Sequence, residues 1–230
     1  MQNTYRHFKN GPYDYIKVSS SDNLAIPLDV AKDHLFLPAA SSVDDAVLTL
    51  MIKGLAEYVE KLTYRTLLTS RYKCFMDYLP REPILIKKSP FQELVSLEYY
   101  SDSVLTEFDL ANVYATESST YSMLDTVNGK DWPQHDYRKQ AIKLTFDAGY
   151  GDTEASIPDD LKMAMMHHLA KWFEQRGDID DQTARNEGLR YSIQTCMPHT
   201  SKAIYAQYKI MQTKKRDRYV SVQEGIPLTW

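Results

Sequence analysis

The spacing of apolar residues changes period twice along this chain, and that change constrains the fold more than any single motif. Apolar residues stand at 43, 46, 47, 50, 51, 54, 55, 58, 59 and 62, which follows the 3.6-residue helical turn when Gly54 is counted as a close-approach position. Ser42 precedes this stripe as a candidate N-cap. Asp44 and Asp45 fall in the first turn, where the positive end of a helix favours carboxylates. From Leu67 the period drops to two, with Tyr72, Cys74, Met76 and Tyr78 alternating with Arg71, Lys73, Phe75 and Asp77. The helical period returns behind Pro158, where Leu161, Ala164, Met165, His168, Leu169 and Trp172 share a stripe with Phe173 beside it, and Gly177 supplies a stop. The predicted class is therefore α+β: a helical bundle containing 43–63 and 158–176, an inserted antiparallel β region across 67–148, and an extended C-terminal arm. Leu50, Leu55 and Tyr58 on the first helix are expected to pack against Leu161, Met165, Leu169 and Trp172 on the second.

Shorter signals fill in the remainder. Residues 15–18 read as a short strand, and 26–35 as a two-turn helix with Leu28, Ala31 and Leu35 on one side. Within the β region, further strands are expected at 84–86, 94–100, 108–115, 121–124 and 142–146, with Asn128-Gly129 as a tight-hairpin signal. A last helix is expected over 201–216, with Ala203, Ile204, Tyr208 and Met211 as a thin stripe, followed by an extended tail over 219–230. The chain thus divides into an N-terminal segment with the long helix (1–66), the β insertion (67–148), the second bundle helix (149–178, in one domain with 1–66), and a linker, basic helix and arm (179–230).

The residue inventory offers little to catalysis. Only eight glycines occur and none forms a phosphate-cradling loop. His167 and His168 are adjacent on a helix and so point about 100° apart, whereas helical metal ligands stand three or four residues apart. The pairs Asp44/Asp45 and Asp159/Asp160 are accounted for by their place in first helical turns. Cys74 lies in a strand pattern and reads as packing, and with Cys196 as the only other cysteine, free thiols are expected rather than a disulfide framework. No catalytic residue, metal site or cofactor is expected. No apolar run approaches the ~20 residues a membrane span needs, and the first residues carry no apolar signal-peptide core.

Charge is distributed unevenly. The net charge of −4 argues against a protein built wholly around nucleic acid. Yet 202–218 holds six bases (Lys202, Lys209, Lys214, Lys215, Arg216, Arg218) against Asp217, while 152–181 is dominated by acids. Tyr205, Tyr208 and Tyr219 interleave with the bases. In an acidic chain this segment suits docking on an acidic protein surface better than phosphate contact and base stacking. Tyrosine is abundant, 17 against 7 Phe, which fits half-buried interfaces and strands equally.

Four stretches in order carry a resemblance: Ile26-Pro-Leu-Asp-Val-Ala-Lys-Asp-His-Leu35, then Asp44-Asp45-Ala46 through Ala56-Glu57-Tyr58-Val59-Glu60-Lys61-Leu62-Thr63-Tyr64-Arg65. The turn Gly149-Tyr-Gly-Asp152 follows, and then the helix from Ile157-Pro158 to Lys171-Trp-Phe-Glu-Gln-Arg176. Over roughly 15–178 the chain resembles the head–tail connector (portal adaptor) proteins of tailed bacteriophages. The resemblance implies a non-enzymatic virion protein at the capsid vertex, assembled in the host cytoplasm as a ring, typically of twelve subunits. The implied partners are a portal protein above, a tail or stopper protein below, and genomic DNA passing through the channel without sequence-specific binding. Residues 199–230 are expected to form the arm that docks on the portal: Lys209, Lys214, Lys215, Arg216 and Arg218 would meet acidic surface, and Tyr219, Ile226, Leu228 and Trp230 would supply anchors. The alternatives are a cytoplasmic DNA-binding accessory protein acting through the same basic segment, and a hydrolase using His167 or His168.

Overall fold

A computed structural model describes residues 14–80, 83–116, 122–127, 130–175 and 196–210. Helix α1 spans Leu28–His34, α2 Asp45–Thr63, α3 Asp159–Glu174 and α4 His199–Tyr208. The strands are β1 (Asp14–Ser20), β2 (Ser70–Met76), β3 (Ile84–Ile86), β4 (Phe91–Ser101), β5 (Val104–Glu107), β6 (Val113–Thr116), β7 (Ser122–Thr126) and β8 (Ile142–Ala148). They form a five-stranded sheet in the order β1-β2-β8-β4-β5 and a three-stranded sheet in the order β3-β7-β6, with every strand pair antiparallel. Helices and antiparallel sheets together make the class α+β.

Two cores divide the molecule. The helical core gathers Leu48, Ile52, Leu55 and Val59 of α2, Leu161, Ala164, Met165 and Leu169 of α3, and Tyr205 of α4. Tyr58 and Trp172 are partly buried against it. The β core lies between the sheets, with Tyr72, Cys74, Met76, Leu97, Ile142, Leu144 and Phe146 on the inner face of the larger sheet and Ile84, Ile86 and Leu124 on the smaller. Phe146 is its centre: Tyr72 stacks on it at 5.8 Å and Tyr15 meets it edge-on at 6.2 Å. The alternation in β2 and β8 therefore arises because one face of each strand meets the second sheet and the other does not.

Helix α2 is rotated from the expected orientation. Leu50 is 71 % exposed, and Val43 and Val47 are exposed as well. The buried side runs through Leu48, Met51, Ile52, Leu55 and Val59. At 100° per residue the two apolar stripes lie roughly 120° apart. The helix is apolar in both directions, so periodicity alone cannot tell which stripe turns inward. Ser42 is not the cap either: Asp44 is the N-cap residue, and no side chain caps the first turn.

Other boundaries also differ. The expected strand over 108–115 is instead a short 3-10 turn at Leu110–Asn112, capped by the Asp109 carboxylate, that leads into β6, while β5 ends before it at Glu107. Asn128-Gly129 lies outside the described residues, and β7 and β8, which flank it, belong to different sheets and do not form a hairpin. Strand β1 precedes α2 in the chain yet forms an edge of the larger sheet by pairing with β2. Helix α4 begins two residues before the expected Ser201 and ends at Tyr208; its buried residues are Ser201 and Tyr205, while Ala203 is exposed.

The joint between the two cores is the Gly149-Tyr150-Gly151 turn. Gly149 adopts φ +145°, beyond the reach of ordinary L-residues, and a Cβ there would stand 2.6 Å from the backbone of Leu68 and Thr69. The close approach lets Gly149 N–H donate to Pro90 O (2.8 Å), Thr69 N–H to Gly151 O (2.9 Å) and Tyr150 N–H to Leu67 O (3.2 Å). These bonds tie the end of β8 to the starts of β2 and β4, so that α3 leaves the sheet at a fixed point.

Candidate assembly surfaces

Residues that drew attention as possible chemistry are placed in packing roles. His168 is fully buried, with its Nδ1 3.4 Å from Tyr205 Oη and the Tyr58 ring edge-on to it at 5.8 Å. His167 sits apart, its ring 5.7 Å from that of His34 on α1. Burial first, and the neighbouring His167 second, hold His34 below its ordinary value of 6.5. Both cysteines are buried and outside any disulfide, and desolvation pushes the Cys74 thiol up to about 12, far from the range of a nucleophilic thiolate. Among the described residues no cluster of three or more His, Cys, Asp or Glu could hold a metal ion, and no helix is long and apolar enough to cross a membrane.

Helix α4 packs on the helical core of the same chain, which corrects the expectation of an arm outside the compact domain for residues 199–210. Ser201 Oγ donates to Ala164 O (2.8 Å), Arg65 Nε donates to Tyr208 O (2.7 Å), and Ile210 N–H donates to Thr63 O (3.0 Å). The Tyr208 hydroxyl donates to Asp160 Oδ1 at the start of α3; burial and that carboxylate together push the phenol up to about 12. The physical reason is Tyr205: its ring is 1 % exposed and fills the space between α2 and α3, burial that a detached arm would forfeit. Lys209 is exposed at the end of this segment, whereas Lys214, Lys215, Arg216, Arg218, Tyr219, Ile226, Leu228 and Trp230 lie outside the described residues.

Lys32 is a buried charge that sequence reading passed over. Its Nζ pairs with Asp45 Oδ1 and donates to Ser41 O (2.6 Å), clamping the 35–44 loop to α1. That loop and the helix it leads into display Phe36 (95 % exposed), Val43, Val47 and Leu50. A lysine in a short helix reads as a solvated charge, so no spacing rule singles it out.

The outer face of the larger sheet is polar. Arg71 forms a two-pronged pair with Asp147 across β2 and β8 (2.8 and 2.7 Å), and Lys143 pairs with Glu98 across β8 and β4 (2.7 Å). Arg71 is held above its usual range, first by the hydrogen bond to Asp147. Apolar side chains reappear at the two ends of this sheet, with Ile16 and Val18 on β1 and Val104 and Leu105 on β5 all exposed.

His168 and both cysteines thus belong to the packed interior, and the larger sheet presents a polar outer face with apolar side chains at its two margins. The fold is that of neck proteins from phage-like particles, which agrees with the connector resemblance of the sequence. The chain matches a subunit in the neck of an empty gene transfer agent particle solved with C6 symmetry, at a TM-score of 0.68 and 18% identity, covering 86% of this chain and 96% of that one. A chain in the virion of the native particle matches at 0.68 and 17%. A third, in the native neck solved with C12 symmetry, matches at 0.67 and 17%, with the same coverage. No protein-family model and no curated protein matches the chain.

Proposed function

We propose that this chain is a structural, non-catalytic subunit of a virion neck, forming a ring adaptor between portal and tail that extends the DNA channel. The observation that carries the proposal is the fold shared with neck subunits over 86% of this chain and 96% of theirs. The inert character of the buried His and Cys side chains and the polar outer sheet face support the same reading. A ring lining a channel must let DNA pass, and an acidic chain (net −4) does not grip a polyanion.

Docking on the portal falls in this reading to residues 211–230, the part of the expected arm that follows the packed α4 segment. The bases Lys214, Lys215, Arg216 and Arg218 would meet acidic portal surface, and Tyr219, Ile226, Leu228 and Trp230 would fill apolar recesses. The deletion that tests this must begin after Ile210, because Tyr205 belongs to the core. The full chain mixed with its portal is expected to give a ring seated on the portal by electron microscopy. The 211–230 deletion is expected to stay folded and lose the portal. Undiminished portal binding by the shortened chain would move the dock elsewhere, and a full chain that forms no ring with or without portal would remove the adaptor reading.

A further inference from the structure

The five-stranded sheet ends in two unlike edges. Among the described residues neither the outer side of β1 nor that of β5 is paired. Unpaired N–H and C=O rows template further strand pairing, and monomeric proteins commonly blunt such edges with charge, proline or bulges. Here the guard is slight. In β1 a register shift between Lys17 and Ser19 leaves a regular four-residue run, Asp14–Lys17, and β5 is itself four residues long. Both edges also present half or more of an aliphatic side chain to solvent, 50 % for Ile16 and 63 % for Val104.

The two ends of the sheet carry opposite charge. Strands β1 and β2 hold Lys17, Arg71 and Lys73 against Asp14 alone, whereas β4 and β5 hold Glu93, Glu98 and Glu107 and no base. Strand β8 between them has one of each, Lys143 and Asp147. Lys17, Arg71 and Glu98 are already paired within the chain, with Glu60, Asp147 and Lys143; the charges that remain, Lys73 beside β1 and Glu107 on β5, favour a second copy of the sheet placed head to tail over a copy placed edge to like edge. Contacts between two different patches of the same chain are heterologous, the kind that closes into rings.

We propose that the β1 edge of one subunit pairs with the β5 edge of the next, so that the five-stranded sheets join into one continuous sheet around the assembly. The proposal rests on the ring reading for closure, but the edge pairing itself follows from the sheet. Lys73, which shares a face with Ile16, then faces Glu107 of the adjacent subunit, and Ile16 covers Leu105, which shares a face with Glu107.

Charge-swapped edges in the full chain test this. Ile16→Asp with Val18→Asp puts acid on β1 opposite the acidic β5 edge, and Val104→Lys with Leu105→Lys puts base on β5 opposite the basic β1 edge. Each double variant alone is expected to remain a folded monomer by circular dichroism and native mass spectrometry under conditions where the unaltered chain associates. Mixed together they are expected to associate in a 1:1 ratio, because one contact is native and the other has its charges exchanged. If either variant alone assembles as the unaltered chain does, the edge pairing is wrong and the ring reading survives on another surface. If both are folded monomers and their mixture does not associate, or if the unaltered chain stays monomeric at its solubility limit, the pairing is likewise overturned. If the edges pair but yield open chains that never close and never enter particles, the pairing stands and the ring reading fails.

Discussion

Gly149→Ala probes the joint on which both cores depend, and its cost can be worked from the geometry. Backbone at φ +145° is open to glycine and strained for other residues, at about 1–3 kcal/mol. The new Cβ would also lie 2.6 Å from Leu68 C and Thr69 N, which are main-chain atoms that cannot rotate away. Relief requires the turn to part from the segment that enters β2, weakening bonds such as Tyr150 N–H to Leu67 O and Thr69 N–H to Gly151 O, at about 1 kcal/mol each. The total is about 3–5 kcal/mol, a large part of the 5–15 kcal/mol that a domain typically commands. At 2–4 °C per kcal/mol for a chain of this size, Tm should fall by roughly 6–20 °C. Gly54→Ala is the internal control: its Cβ would meet the Trp172 ring at an ordinary 3.6 Å, and alanine in a helix interior should stabilise by about 0.5–1 kcal/mol. Urea and thermal unfolding of both variants, followed by circular dichroism, decide the matter. A Gly149→Ala protein within about 1 kcal/mol of the parent, or a Gly54→Ala protein equally damaged, would refute the reasoning.

Other perturbations separate inward from outward positions. Leu169→Ala is expected to cost about 2–5 kcal/mol in urea unfolding, whereas Leu50→Ala should stay within about 0.5 kcal/mol in the monomer, since its side chain is 71 % exposed. Tyr205→Ala should cost about 3–5 kcal/mol, as large aromatic deletions do, and render the 199–210 segment protease-sensitive. His34 binds its proton less readily folded than unfolded, so the unfolded state carries more protons just below pH 6.5. Stability should therefore decline as pH falls from about 6.5 through the lower folded-state value and level off below it, and His34→Gln should flatten that part of a Tm-versus-pH curve.

The elements themselves were legible locally. Periods of 3.6 and 2 are properties of single segments, so α2, α3, β2 and β8 could be placed from their own residues. Gly149 likewise announced a turn, although its actual constraint, the approach to Leu68 and Thr69, involves a strand some eighty residues away. Candidate surfaces were far less legible, because exposure is a relation between segments. Leu50 and Leu48 are equally apolar; only the arrival of α3 and α4 on one side of α2 buried the second and left the first in water. Ile16 and Val104 read as strand residues, and nothing in their neighbours said that each would end up at an opposite margin of one sheet.

The basic C-terminal segment shows the same division most clearly. Composition fixed its charge, but whether 199–210 lies on the helical core or extends from it turned on Tyr205 finding a gap between two helices that are distant in sequence. Sequence determined which segments were helix or strand, because backbone hydrogen bonding and side-chain periodicity are local. Tertiary structure alone decided which faces were left for partners, because burial depends on what else in the chain comes to rest against each face.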